Sequence, residues 1–226
     1  MPDVKTIVCL ANSRKLSGRC VAGKVLEKGK IGPWLRPVSN RVNEEVSEDE
    51  RQYSDGSDPQ ILDIIDIPVL EPRPKSFQTE NYLIDPDFYW ERKGRASWKE
   101  VEKWTDSPKA LWLNTDSTYA GLNDRVSVKE AACLTNSLYL LQLDDVKLHV
   151  FAPGAAFGNP KRRVQARFEY RGVSYWLRVT DPTYERTYLK KADGAYNLGQ
   201  CLVAVSLGEP FDGHCYKLVA AIITPT

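Results

Sequence analysis

A tryptophan-leucine-arginine tripeptide occurs twice in the chain, as Trp34-Leu35-Arg36 and as Trp176-Leu177-Arg178. Alternate side chains of an extended strand point to the same face, so the tryptophan and arginine of each copy share a face opposite the leucine. An exposed indole can stack on a nucleobase, and a neighbouring guanidinium can pair with a phosphate. Each copy therefore predicts a contact with single-stranded nucleic acid. The alternative is packing, in which the two indoles lie in a core or in a seam between two barrels.

Basic residues accompany both copies. Residues 161–178 carry six Lys and Arg against one acid, and residues 1–40 carry eight against two. Strand alternation turns Gln165, Arg167 and Trp176 outward and leaves Val164, Ala166 and Phe168 inward. The predicted nucleic-acid contacts are Trp176, Arg178, Arg167, Gln165, Lys161, Arg162 and Arg163 in the second region, and Trp34, Arg36, Arg14, Lys15, Arg19 and Lys24 in the first.

An acidic block separates the two basic regions. Residues 41–72 carry ten acids against two Lys and Arg. Such a block is typical of a solvated face, or of a surface that docks a protein partner. A protein-interaction or adaptor subunit, with its partner on the 41–72 face, is therefore the alternative function.

Catalytic and metal-binding patterns are sparse. Asp87, Glu91 and Lys93 are the residue types of a Mg²⁺-dependent nuclease, but the longer gap and the strand context of such sites are missing. Asp63 and Asp66 are three residues apart and so lie on opposite faces of a strand. The five cysteines form no CxxC pair, and no phosphate-binding glycine motif occurs. These observations predict a non-enzymatic protein without cofactor or metal, and a nuclease is the third hypothesis.

The composition predicts a folded protein of a reducing compartment. The chain has 226 residues, of which 42% are hydrophobic and 10% aromatic, which is incompatible with wholesale disorder. Its apolar runs are shorter than the roughly 20 residues of a membrane span. Its start lacks the basic and apolar regions of a signal peptide. We therefore expect a cytoplasmic protein that does not contact membranes.

The elements around the tripeptides follow one order twice. In the C-terminal part, Asp181 and Pro182 predict the start of a helix that runs to about residue 191. Five strands surround this helix, at 138–151 (bent at 144–145), 163–170, 174–180, 201–207 and 216–224. That is the strand order of the OB fold, a five-stranded barrel with its helix between the third and fourth strands. The N-terminal part repeats the order as far as the fourth strand, with strands at 6–11, 19–26, 34–38 and 61–70 and a helix at 42–52 capped by Ser39 or Asn40.

The region between the two repeats is rich in tryptophan. Residues 75–135 contain four of the six tryptophans, and Ser97 and Ser127 can each cap a short helix. We predict a partly helical insertion anchored by Trp98, Trp104 and Trp112. The predicted fold is mainly β with some α, with a first OB-type barrel at 1–74, the insertion at 75–135 and a second barrel at 136–226. The fifth strand of the first barrel is expected after the insertion.

Several runs of the chain resemble one bacterial family. They are Cys9–Ser13, Gly18–Gly23, Trp34–Ser39, Val205–Glu209 and Tyr216–Ile223. In these runs, and along the whole chain, the sequence resembles the dual OB-containing domain. The resemblance implies two OB-type barrels, and the functional hypotheses continue to rest on the residues described above.

Overall fold

The computed structural model describes residues 3–225, which divide into two compact units. The first unit contains the residues up to Trp104 together with Thr135–Ser137. The second contains Thr105–Leu134 and the residues from Leu138 onward. The segment 75–135, predicted as a single insertion, is therefore divided between the two units.

The first unit is a six-stranded sheet that closes into a ring of five strands. Its strands are β1 (Asp3–Lys15), β2 (Gly18–Glu27), β3 (Lys30–Val38), β4 (Asp63–Pro72), β5 (Asn81–Ile84) and β6 (Glu91–Arg95). The ring runs β1-β2-β3-β5-β4 and returns to β1, and β6 pairs with β4. Only the β3–β5 contact of this ring is parallel. This is the strand order of an OB fold.

The fifth strand of the first ring lies earlier in the chain than predicted. It is β5, which follows β4 directly and pairs with β3 and β4. The expectation that this strand would come after residue 135 is wrong. With four residues between proline-rich and polar segments, β5 is too short for its alternation to be recognised.

The helix before β4 is also shorter than predicted. It is α1 (Glu48–Arg51), whose N-cap is Ser47 rather than Ser39 or Asn40. Ser47 and Glu50 form a capping box, which satisfies two backbone donors at the start of the helix. The helical segment near residue 100 is α2 (Trp98–Val101), followed by a 3₁₀ turn at Glu102–Trp104, and Ser97 is its predicted cap.

Close backbone packing bends the first two strands. Gly23 on β2 lies opposite Cys9 on β1, where the register between the strands shifts. A Cβ atom at Gly23 would lie 2.1 Å from the carbonyl oxygen of Val8. Glycine is therefore required here, and the predicted irregularity at Gly23 is confirmed.

The second unit has the same ring topology. Its strands are β7 (Arg125–Ser127), β8 (Leu138–Phe151), β9 (Arg163–Tyr170), β10 (Val173–Val179), β11 (Gly194–Phe211) and β12 (His214–Ile223). The ring runs β8-β9-β10-β12-β11 and returns to β8, with a parallel β10–β12 contact, and β7 pairs with β12. The helices are α3 (Val128–Ala131) and α4 (Pro182–Leu189), and a 3₁₀ turn spans Ala155–Phe157. The predicted strand order and helix are confirmed.

Capping explains where α3 and α4 begin. Ser127 and Glu130 form the predicted capping box of α3. Asp181 accepts hydrogen bonds from the backbone nitrogens of Thr183 and Tyr184 at 2.9 and 3.1 Å. Its other carboxylate oxygen accepts one from the Ile222 nitrogen at 3.1 Å. Asp181 thus both starts α4 and joins it to β12.

The tryptophans of residues 90–112 belong to separate cores. Trp90 is 1% exposed in the core of the first unit. Trp112 is buried in the second unit, with its ring 5.0 Å from that of Tyr139. Trp98 and Trp104 are half-buried in the first unit. The chain is thus a mainly β protein built from two OB-type five-strand rings. Among the helices within residues 3–225, none is long and apolar enough to cross a membrane.

Candidate nucleic-acid interface

Three adjacent strands of the second ring place polar and aromatic side chains on one outer face. Strand register pairs Lys147 of β8 with Arg167 of β9, and Arg167 with Trp176 of β10. The next row consists of His149, Gln165 and Arg178. The alternating residues Leu148, Ala166 and Leu177 are fully buried, so the predicted inward and outward orientations on β9 and β10 are confirmed. We call the six outward residues of these two rows the strand face.

Arg167 and Trp176 form a cation–π pair at the centre of the strand face. The guanidinium carbon of Arg167 lies 4.1 Å from the centroid of the Trp176 ring. Trp176 is 36% exposed. The Nε of Arg167 donates to the Gln165 Oε1 at 2.9 Å, and partial burial lowers the pKa of Arg167. The pair places a guanidinium and an indole side by side, where a phosphate contact and a stacking contact on the uncovered indole face would be adjacent.

Gln165 positions its neighbours and is not itself open to a ligand. It is 6% exposed, and its Nε2 donates to the carbonyl oxygen of Ala120 at 2.6 Å. Its Oε1 accepts from Arg167. The outward orientation of Gln165 was predicted correctly, but the predicted direct contact with nucleic acid is corrected, because both ends of the amide are already bonded.

The segment that holds Ala120 forms a wall beside β10. The backbone of Leu122 exchanges hydrogen bonds of 3.1 and 3.4 Å with that of Trp176. Asn123 Nδ2 donates to the Ser174 carbonyl oxygen at 3.0 Å. Asp124 accepts from the Thr118 nitrogen and hydroxyl at 2.7 and 2.6 Å. The sequence did not predict this wall, because its contacts with β10 join residues more than 50 positions apart.

A cleft of about 450 Å³ lies between this wall and the ring. Its size is within the range of small-ligand sites. Arg163 and Arg178 supply positive charge, and Phe151, Phe211 and Tyr216 supply aromatic surface. The cleft adjoins the β8–β9 loop and the β11–β12 hairpin, which correspond to the two loops that flank OB ligand sites.

Three residues of β8 add to this surface and were missed by the sequence analysis. Lys147 is exposed, whereas His149 and Phe151 are half-buried. Burial lowers the pKa of His149, and the nearby charges of Arg167 and Lys147 lower it further. Both effects favour the neutral imidazole. The alternation of Val146, Leu148 and Val150 was the available signal, since it turns the residues between them outward.

The three basic residues at 161–163, at the start of β9, have different roles. Lys161 is exposed, and Arg163 lines the cleft. Arg162 instead anchors the end of α4. Its guanidinium pairs with Asp193 at 2.7 Å and donates to the carbonyl oxygens of Leu189 and Lys191 at 2.9 and 2.5 Å. Arg162 thus has a structural role at the end of α4, and its predicted contact with nucleic acid stays a prediction.

The first ring has a similar cation–π pair, but the cation of this pair is buried. Lys24 lies opposite Trp34, as Arg167 lies opposite Trp176, and its Nζ is 5.7 Å from the Trp34 centroid. Lys24 is only 7% exposed, however, and donates to the carbonyl oxygen of Trp104 at 2.6 Å. Trp34 is half-buried. The predicted contact of Lys24 with nucleic acid is corrected, because its ammonium group is already bonded inside the unit.

Arg36 is buried as well. It is 3% exposed, and its guanidinium pairs with Glu80 at 3.1 Å. The same group donates to Asn81 Oδ1 at 3.2 Å and to Ser137 Oγ at 2.6 Å. The prediction that Arg36 contacts a ligand is corrected, since residues of β5 and of the 135–137 segment cover it.

The remaining basic candidates of the first ring lie at the β1–β2 hairpin. Arg14 pairs with Arg19 in the strand register. Arg14 is exposed, whereas Lys15 and Arg19 are half-buried. Arg19 and Lys24 are five positions apart, which is about 17 Å along a strand. The structure therefore does not bring this group together with Trp34.

Most acids of the 41–72 block have partners within the first unit. Glu45 pairs with Arg41, Asp58 with Arg51 and Asp63 with Arg95. Glu44 and Asp66 pair with Lys75 and Lys93. These ion pairs neutralise part of the negative charge that a protein partner would otherwise contact. Within residues 3–225, no three His, Cys, Asp or Glu side chains are grouped so that they could hold a metal ion.

Comparison with known proteins supports the fold. The model of the dual OB-containing domain family matches residues 5–222. A search of curated proteins and a search of solved structures each found no match.

Proposed function

The chain belongs to the dual OB-containing domain family, and from this premise we propose that its second ring binds single-stranded nucleic acid. The observation that carries the proposal is the Arg167–Trp176 pair, preassembled at 4.1 Å on the outer face of the second and third strands of this ring. This is the face on which OB folds bind oligonucleotides. The role proposed is binding, without catalysis.

Unpaired strands fit this surface better than duplexes. Stacking on Trp176 requires the flat face of a base, which a duplex hides between neighbouring base pairs. Arg167, Arg178 and Arg163 lie on or beside the strand face and offer charge to the backbone of the same strand. Stacking and backbone pairing are both tolerant of sequence, because every base has an aromatic face. We therefore propose weak sequence preference.

The experiment is a titration of fluorescein-labelled 15-nucleotide strands of dT and of U with the full chain at several salt concentrations. If the three arginines meet phosphates, the logarithm of the association constant should fall with the logarithm of salt with a slope of about −2, at about 0.7 for each neutralised phosphate. Failure to bind either strand at low salt would overturn the proposal. Strand cleavage that requires a divalent metal would favour the nuclease hypothesis instead.

A further inference from the structure

Two aromatic rings meet in solvent beside the cleft. Tyr119 is 78% exposed and Phe157 is 73% exposed. Their centroids are 5.3 Å apart with the planes at 75°, an edge-to-face contact. Large apolar side chains stabilise a fold through burial, so two adjacent rings left in water contribute little to the core of this unit.

The two rings come from different segments that both border the cleft. Tyr119 lies between Thr118 and Ala120, which line the cleft. Phe157 belongs to the β8–β9 loop, whose flanking residues Pro153 and Arg163 also line it. The ring pair therefore lies at the border of the cleft, where Arg163 and Arg178 supply positive charge.

Both segments hold their rings on a fixed backbone. Thr118, next to Tyr119, is bonded twice to Asp124. The carbonyl oxygen of Gly154 accepts from the nitrogens of Phe157 and Asn159, each at 2.9 Å. Binding to these rings therefore requires little ordering of loops, which would otherwise reduce the affinity.

We propose that Tyr119 and Phe157 are stacking residues that bind unpaired nucleobases at the border of the cleft. The inference rests on the proposed function and extends it to a second contact region, which adjoins the strand face through the cleft that Gln165 and Arg178 also line. Tyr119 belongs to the 105–134 segment, which lies outside the five ring strands. The inference therefore gives this segment a role in ligand binding. Arg163 and Arg178 line the cleft against the single carboxylate of Asp124, and this excess of positive charge favours a polyanion over an apolar peptide as the occupant.

A stacking role makes a distinct prediction about the ligand. An abasic strand, which keeps the sugar-phosphate backbone and lacks bases, offers the same charge but nothing to stack. Tyr119→Ala and Phe157→Ala should each weaken binding of a dT 15-mer by about 5- to 140-fold, the equivalent of one stacked base. Affinity for an abasic strand of equal length should not change. The salt dependence should also stay as in the wild type, because neither ring neutralises a phosphate.

The controls use substitutions matched in size and exposure. Tyr119→Phe and Phe157→Tyr keep an aromatic ring and should retain binding. Tyr89→Ala removes a ring that is 61% exposed in the first unit and should leave affinity unchanged. Thermal melts should coincide for all five variants, because none of these side chains is buried.

The outcomes separate this inference from the proposed function. If the wild type binds dT and Trp176→Ala weakens it, but neither Tyr119→Ala nor Phe157→Ala does, the stacking role of the ring pair is overturned and the proposed function stands. Equal losses for the dT and abasic strands would also overturn it, since the rings would then act on the backbone or on the fold. If the wild type binds no strand, both fail.

Discussion

Arg36 and Arg178 follow the same Trp-Leu pair on the third strand of their rings, yet only Arg178 reaches solvent. Arg36 pairs with Glu80 at 3.1 Å and lies opposite Asn81 of β5. Arg178 is exposed, lies opposite Leu218 of β12 and lines the cleft. The two positions correspond in topology. The strand that pairs in parallel with them, however, places a polar residue opposite Arg36 and an apolar residue opposite Arg178.

Because of this difference, the same substitution should affect binding at one position and stability at the other. Arg178→Ala should weaken single-strand binding and lower the salt slope by roughly 0.7 to one unit, because one phosphate contact is lost. Arg36→Ala should leave the slope unchanged and destabilise the fold by about 3–5 kcal/mol, since Glu80 is left buried without its cation. Salt titrations and urea unfolding measure the two effects. A changed slope in Arg36→Ala would contradict the assignment.

Trp176→Ala should weaken single-strand binding by about 1–3 kcal/mol, the contribution of one stacked base. The melting temperature should fall by less than truncation of a core tryptophan would cause, because Trp176 is 36% exposed on the outer face. Fluorescence titration and a thermal melt of the same sample test both statements. A collapsed melt would show that Trp176 acts in packing, and unchanged binding with an unchanged melt would exclude it as a contact.

Lys217 should make stability depend on pH. It is 1% exposed, and its Nζ donates to the Leu113 carbonyl oxygen at 2.6 Å and to Asn114 Oδ1 at 3.0 Å. Burial lowers its pKa from 10.5 to about 7, and the charge of Asp124 opposes this shift only in part. Between these two values the unfolded chain binds a proton that the folded chain lacks, so stability should rise with pH across that range. Below about pH 7 both states are protonated, and this contribution to the slope should end.

Urea unfolding of the wild type and of Lys217→Met between pH 7 and pH 10 isolates this contribution. Burial raises the pKa of Cys201 and Cys215 to about 11, whereas the thiols of the unfolded chain ionise in this range, so the difference between the two proteins is the quantity to compare. Parallel stability profiles would show that Lys217 keeps an ordinary pKa in the folded state.

Gly23→Ala should destabilise the first unit by about 1–3 kcal/mol, as overpacking does in a well-packed core. The added Cβ would lie 2.1 Å from the Val8 carbonyl oxygen, on backbone that cannot move without disturbing β1. Gly94→Ala is the matched control, since its Cβ would meet only Ile64 Cδ1 at 3.8 Å. Chemical denaturation should show a loss for the first variant alone, and equal midpoints would refute the close-packing argument.

The features that depend on neighbours within a few residues could be predicted from the amino-acid sequence. Alternation oriented Arg167 and Trp176 correctly, because strand geometry turns every second side chain to the same face. The cap at Asp181 and the capping box at Ser127 were likewise predictable, since these bonds join residues two or three positions apart. Together such local signals were enough to predict the OB strand order of the second ring.

Which outward residues stay accessible depends on contacts between segments that are distant in the chain. Arg36 is covered through contacts with Glu80 and Ser137, which lie 44 and 101 positions away in the chain. Gln165 is bonded to Ala120, 45 positions away. No local pattern encodes these pairings, because they arise when closure of each ring brings distant segments over its outer face. The same closure divides residues 75–135 between the two units and places Tyr119 beside Phe157.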